Sequence, residues 1–391
     1  MKTSDDYLLD RIVLPEHVRG LIQSAKSFRI IGNRPELLEI AAGNTTNKTF
    51  EVRYDVNGKM VCEAVVTRCK NGFAVNYPDP YMRRRDPDCM LIGDEKPSDK
   101  TKYEEKYEEK FSNMRELTFR WLVEQDLVVT AFTLGSFEID SGYGGLLVAP
   151  ANTGFFIAGL ADIQGIVDLT HIESNFVVHT VVFLAPPFRH THFEGKQIVV
   201  HNRTDELYEI FSYNLYPGPS AKKGIYGALL SIGEEEKWLT LHSSTVQVVT
   251  PYDNVTTIMH EGSSGSGKSE MLEYVNRQED GRLLLGKNLI DGESRYLILP
   301  RGCVLNPVTD DMAMCHSSTQ NGSAYVVATD AEQAWFVRLD HIKRYGTDPH
   351  LERITTQPDE PLIFLNIDGA PDSTCLIWEH IQDNTGVPCP N

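Results

Sequence analysis

The chain has little of what marks several large classes of protein. Its seven cysteines, Cys62, Cys69, Cys89, Cys303, Cys315, Cys375 and Cys389, are odd in number and contain no C-x-x-C pair. That pattern implies neither a disulfide framework nor a zinc knuckle. No apolar run approaches the roughly 18 residues of a membrane span. The start, Met1 to Tyr7, lacks the apolar stretch of a signal peptide. Positive charge is scarce: 37 Lys and Arg stand against 55 Asp and Glu, for a net charge of −18. This argues against a general nucleic-acid surface and against an anionic membrane surface. Internal repeats and low-complexity tracts are absent too. A reducing cytoplasm is the expected location, which makes the N-x-[ST] matches at Asn44, Asn202 and Asn254 chance.

What is present suits a large folded protein. A hydrophobic content of 41% and a charged content of 24% over 391 residues allow a core that needs no covalent staple. The pattern along the chain is mixed. A helix is expected through His17–Ser27. The alternating run from Phe50 to Asn76, broken by Asn57-Gly58, reads as a hairpin. Residues 79–100 form a loop rich in Pro, Asp and Arg. Lys102 to Val128 has helical periodicity, and its Lys/Glu run reads as a solvated face. Strands are expected at Leu127–Thr133, Leu146–Val148, Phe155–Ile157, Asn175–Leu184 and Gln197–His201, then a helix at Asp205–Tyr213. Gly142-Tyr-Gly-Gly reads as a turn, and His190 and His192 as part of a polar loop. Three short strand-like runs fall in 223–260. Further strands are expected at Val304–Val308, Ala324–Thr329, Trp335–Leu339 and Leu362–Ile367. The class is α/β in the mixed α+β sense, without the regular alternation of a doubly wound sheet. Two domains are expected, 1–235 and 236–391, the second ending incomplete at Asn391.

The most specific signal is Gly262-Ser263-Ser264-Gly265-Ser266-Gly267-Lys268-Ser269. It matches the phosphate-loop pattern G-x-x-x-x-G-K-[ST] at every fixed position. A strand-like run, Val255 to Met259, precedes it, and a helix-like run from Glu270 follows. Small residues let successive backbone N–H groups turn toward one anion, and a helix N-terminus adds partial positive charge. In such a loop Lys268 reaches the β- and γ-phosphates of ATP, and Ser269 offers its hydroxyl to Mg²⁺ or Mn²⁺.

Upstream, Lys222-Lys223-Gly224 and His242, in Thr240-Leu-His-Ser-Ser, complete a pattern with this loop. The order and the 19 residues from Lys223 to His242 resemble the ATP-dependent phosphoenolpyruvate carboxykinases. The chain also resembles an uncharacterised bacterial carboxykinase-like group. The resemblance is strong over 216–272 and extends across 80–340. It implies a two-domain architecture with a phosphate-loop nucleotide domain. It also implies conversion of oxaloacetate and ATP to phosphoenolpyruvate, CO₂ and ADP. By the same match Lys223 and His242 bind Mn²⁺, the lysine as a neutral amine. Asp310 or Asp311, after Val304–Val308, corresponds to the metal-binding aspartate, with Asp291 as the rival position. Arg85, in Arg83-Arg84-Arg85-Asp86-Pro87, matches the arginine that holds the substrate carboxylate, where a guanidinium fork pairs with both oxygens. Arg338 stands where the family has a phosphate-contacting lysine. The implied partner is a small oxaloacetate-like carboxylate, with no nucleic acid and no membrane.

Two features depart from that family. No Asn-Thr-Arg-type motif follows before Asn391. The loop's Ser269-Glu270 is closer to the HPr kinases, which share the nucleotide-binding core. A kinase acting on a protein serine or a small hydroxy acid is therefore one alternative, and a nucleotide-binding regulator without catalysis another.

Overall fold

A computed structural model describes residues 2–136, 142–172, 175–263, 266–272, 282–298, 302–339, 342, 345–346, 348–375, 382–384 and 387–388. The class is mixed α+β. The chain divides into two compact units, the first Met1–Leu134, Gly142–Ala228 and Gln333–Asn391, the second Gly135–Ser141 and Leu229–Glu332. The boundary expected at residue 235 thus compares with one at 228/229, inside the helix Lys223–Glu236. Residues 333–391 cluster with the first unit rather than with the segment that carries the phosphate loop.

The first unit is built on a mixed nine-stranded sheet. Its main path runs Ser27–Ile30, Asp126–Leu134, Tyr143–Pro150, Phe176–Leu184, Tyr208–Ser212, Val199–Arg203, Met90–Ile92. The central strands are near-continuous apolar runs, as burial on both faces demands. Every residue of Tyr143–Pro150 is buried. A second sheet orders Leu362–Leu365, Gly72–Asn76, Lys59–Cys69 and Thr49–Val56. Asn57-Gly58 makes the expected turn between the last two.

Several local expectations give way to packing. Phe155–Ile157 lies in the helix Gly154–Gln164 and not in a strand. An aromatic and β-branched triplet favours a strand locally, but the surrounding apolar run is long enough for a helix buried nearly all round. Asp205–Tyr213 contains the strand Tyr208–Ser212 instead of a helix. Its inward Glu209 hid the alternation. That carboxylate is fully buried and takes two bonds from Arg115, at 2.8 and 2.6 Å, and one from Asn202 at 2.7 Å. Gly142-Tyr-Gly-Gly leads into a strand rather than a turn. The helix expected from Lys102 breaks into Tyr103–Tyr107 and Phe111–Val123, with Glu108 left-handed between them. His190 sits in the short helix Phe188–Thr191, with its ring on the buried Glu63 carboxylate. Residues 335–339 are not in a strand, and of 324–330 only Thr329–Asp330 is. Among the described residues no helix is long and apolar enough to cross a membrane.

The second unit holds two three-stranded antiparallel sheets and a hairpin, Leu283–Lys287 with Ser294–Leu297. One sheet has Ser243–Val249 between Val255–Glu261 and Val304–Thr309. The other has Ala313–Cys315 between Leu239–Leu241 and Thr329–Asp330.

Candidate nucleotide-phosphate site

Strand direction assembles this site. Both flanking strands of the Ser243–Val249 sheet run antiparallel to it. Their C-terminal ends therefore meet the start of the central strand at one edge. His242 precedes the central strand. Gly262 follows one flank, and Asp310-Asp311 follows the other. The chain passes between the same two sheets twice, at His242 and at Asp310–Met312. Register fixes those passages side by side, since Leu241 faces Ala313 and Thr245 faces Thr309. Buried Thr309 ties them, its hydroxyl donating to Ser243 O at 3.3 Å and bonding Thr245 Oγ1 at 2.9 Å.

The consequence is a convergence of three side chains. His242 Nε2 lies 3.0 Å from Asp311 Oδ1, and Lys268 Nζ lies 3.2 Å from the same oxygen. Lys268 also donates to Ser263 O at 3.1 Å. Lys268, Asp310 and Asp311 are all buried, at 6%, 3% and 8% exposure. Few such groups are buried without partners, so the ammonium and carboxylate here form a mutually satisfied core. Ser244, buried beside them, donates its hydroxyl to Lys268 O at 2.8 Å and anchors the loop from below. The Ser243 hydroxyl is buried with no hydrogen-bond partner among the described residues.

The loop begins at Gly262, whose N–H donates to His242 O at 3.2 Å. Ser266 N–H turns back to Ser263 O at 3.1 Å. Gly267 adopts φ +88°, a conformation that glycine takes freely. Lys268 is helical, and a short turn, Ser269–Met271, follows. The expected strand is present as Val255–Glu261. Of the helix expected over 270–275, Glu270 and Met271 lie in that short turn, whereas 273–275, like Ser264 and Gly265 of the loop, lie outside the described residues.

The other positions singled out from the sequence lie elsewhere in the chain. Asp291 is in an exposed turn, accepting from Asn288 Nδ2 at 2.8 Å and from Glu293 N at 2.8 Å. Lys222, Lys223, Arg85 and Arg338 belong to the first unit. Lys222 is buried with Nζ 5.7 Å from the centre of the Phe336 ring, and Lys223 Nζ is 5.8 Å from that of Tyr226. Arg85 is exposed, just after the turn Pro80–Arg83, and Arg338 is exposed. Sequence reading passed over Ser244 and Thr309. The hydroxyl cluster Ser243-Ser244-Thr245 at a strand start was the available signal.

The fold and site define a mixed α+β protein with a strand–glycine-loop–lysine element set against a histidine and an aspartate pair. The chain belongs to the family described as Domain of unknown function (DUF4914), whose model matches residues 14–391. No curated protein matches it in sequence.

Proposed function

We propose that the second unit binds the phosphates of ATP with a divalent cation, and that the protein transfers the γ-phosphoryl group. The observation that carries this reading is the meeting of Lys268, His242 and Asp311 at the sheet edge where the glycine loop begins. A lone Gly/Ser linker would have no reason to bury its lysine on an aspartate. In this reading Lys268 leaves Ser263 O for the β- and γ-phosphates, and the loop N–H groups take phosphate oxygens. His242 and Asp311 orient one another, and Ser269 adds a hydroxyl.

The donor set suits Mg²⁺ or Mn²⁺: carboxylate oxygens, a hydroxyl and an imidazole nitrogen. Among the described residues no three His, Cys, Asp or Glu side chains form a metal cage. That fits a cation bound by one or two carboxylates and completed by phosphate oxygens and water. Bound there, the cation would neutralise the charge that develops on the transferred phosphoryl group.

The finer reading is a two-domain carboxykinase-type enzyme acting on oxaloacetate, with Lys223 and His242 as ligands of a second cation, usually Mn²⁺. Arg85 would hold the substrate carboxylate, and Arg338 a phosphate. The resemblance over 216–272 supports it. A kinase acting on a protein serine or hydroxy acid is the second reading, favoured by Ser269-Glu270. His242, Lys268 and Asp311 all belong to one unit. Phosphorus NMR of the protein with ATP, Mg²⁺, Mn²⁺ and oxaloacetate, beside Lys268→Ala, tests both. Phosphoenolpyruvate and ADP from the wild type alone establish the carboxykinase. ADP with a phosphorylated added acceptor and no phosphoenolpyruvate establishes the kinase. ATP left unbound and unchanged by the wild type overturns both.

A further inference from the structure

The hairpin of Leu283–Lys287 with Ser294–Leu297 is a sheet of two strands, with no third strand beside it among the described residues. Two strands alone are marginal in water and need a further strand or an apolar cover. The turn between them is well tied. Asn288 N–H donates to Glu293 O at 2.7 Å, Gly292 N–H to Asn288 O at 2.9 Å, and Ile290 N–H to Asn288 Oδ1 at 2.9 Å. That turn holds Leu289 and Ile290 in solvent, 93% and 97% exposed. Toward the root of the hairpin, Leu284, Leu285, Tyr296 and Ile298 are exposed as well. Scattered apolar residues are ordinary on a protein surface, but six on one hairpin mark a contact surface.

Charge indicates the partner. Two copies of a chain of net −18 repel one another over most approaches. On this hairpin the balance reverses: Arg282, Lys287 and Arg295 outnumber Asp291 and Glu293. Its strand Ser294–Leu297 is also complementary to itself. Arg295 and Glu293 are both exposed. A second copy of the strand, laid antiparallel about a twofold axis at Ser294, sets Glu293 of each copy against Arg295 of the other. Opposite charges facing one another across an antiparallel pair attract. The same axis carries the tip of each hairpin, with Ile290, to the root of the other, with Ile298, since both residues stand four positions from Ser294.

We propose that the protein is a twofold dimer joined through this hairpin, with Ser294–Leu297 of the two copies paired antiparallel into one four-stranded sheet. Such a contact uses the same patch on both copies, so it closes at two and builds no filament. It also pairs a strand edge that would otherwise be open to any other chain.

Sedimentation velocity of the full chain over a range of micromolar concentrations tests this. The wild type is expected to sediment at twice the chain mass. Leu289→Asp combined with Ile290→Asp removes no packing from the single copy and should weaken the dimer by about 100-fold or more. Arg295→Glu should weaken it too, by setting Glu against Glu. Adding Glu293→Arg to Arg295→Glu should restore it, because the reversed pairs attract again, a recovery that damage to the fold could not produce. A wild type that stays monomeric overturns the proposal, including one that binds vesicles of neutral lipid through the hairpin instead. A dimer that survives the tip substitutions, or one that the charge reversal fails to restore, overturns it as well.

Discussion

Lys268 and Asp311 leave opposite flanks of one three-stranded sheet and meet at 3.2 Å beside the start of its central strand. Neither residue is near the other in sequence, so the pairing exists only because both flanks run against the centre. If this is a phosphate site, MgATP at about 100 times its Kd should stabilise the fold by about 2.7 kcal/mol through mass action. Lys268→Ala should abolish that ligand-dependent gain, and Asp311→Asn should cut it by more than half, each judged against its own unliganded baseline. Calorimetric unfolding with and without MgATP measures this. Equal gains in wild type and Lys268→Ala would remove the phosphate loop from the account.

A second prediction concerns the loop backbone. Gly267 sits at φ +88°, where a side chain costs about 1–2 kcal/mol. Gly267→Ala should therefore weaken ATP binding by about tenfold or more, with less effect on the global fold, because the loop can relax into a conformation that no longer aims its N–H groups. Titration calorimetry gives the Kd. An unchanged Kd would mean that this backbone geometry is not the one that binds.

Three residues that meet at this candidate site, His242, Lys268 and Asp311, could be singled out in the sequence, for physical reasons. The loop is local chemistry, written in eight consecutive residues. Asp310-Asp311 stood out because the resemblance implies an aspartate pair at a strand end after the loop, with Asp291, which lies in an exposed turn, as the rival. Ser244 and Thr309 were not legible, since their roles depend on strand register between distant segments. The fold was less transparent. Glu209 reads as a surface residue until Arg115 is placed on it, and that contact is what lets Tyr208–Ser212 be an interior strand. Gly154–Gln164 shows no helical stripe because it is buried nearly all round, so periodicity had nothing to report.

The pairing of Leu362–Leu365 with Gly72–Asn76 can be tested at one atom. A Cβ on Gly72 would lie 1.9 Å from Leu362 O and 2.6 Å from Leu362 N, and the residue's φ is +151°. Backbone atoms cannot rotate away as a flexible side chain can. Gly72→Ala should destabilise the protein by about 3 kcal/mol or more. It should also expose the 362–375 segment to proteolysis before the rest. Urea unfolding and timed proteolysis read the two effects. A loss under about 1 kcal/mol would show that this strand does not pair here.

The last prediction is a pH dependence. His201 is fully buried, bonds Tyr208 Oη through Nδ1 at 2.7 Å, and is pushed down to about 4 by burial first and by Arg203 second. The native state thus holds it neutral, while the unfolded chain protonates it near 6.5. Between those values the unfolded state binds more protons, so stability is whole above about pH 6.5 and falls as pH drops toward 4. At 1.36 kcal/mol per unit, the loss attributable to His201 is about 3 kcal/mol. His201→Asn keeps an acceptor for Tyr208 but has nothing to titrate in this window. Its stability at pH 7 should be lower, because the smaller side chain leaves space, and its decline between pH 6.5 and 4.5 should be shallower than the wild type's. Denaturant unfolding at several pH values measures both slopes. Parallel slopes would mean that His201 is charged or solvated in the native state.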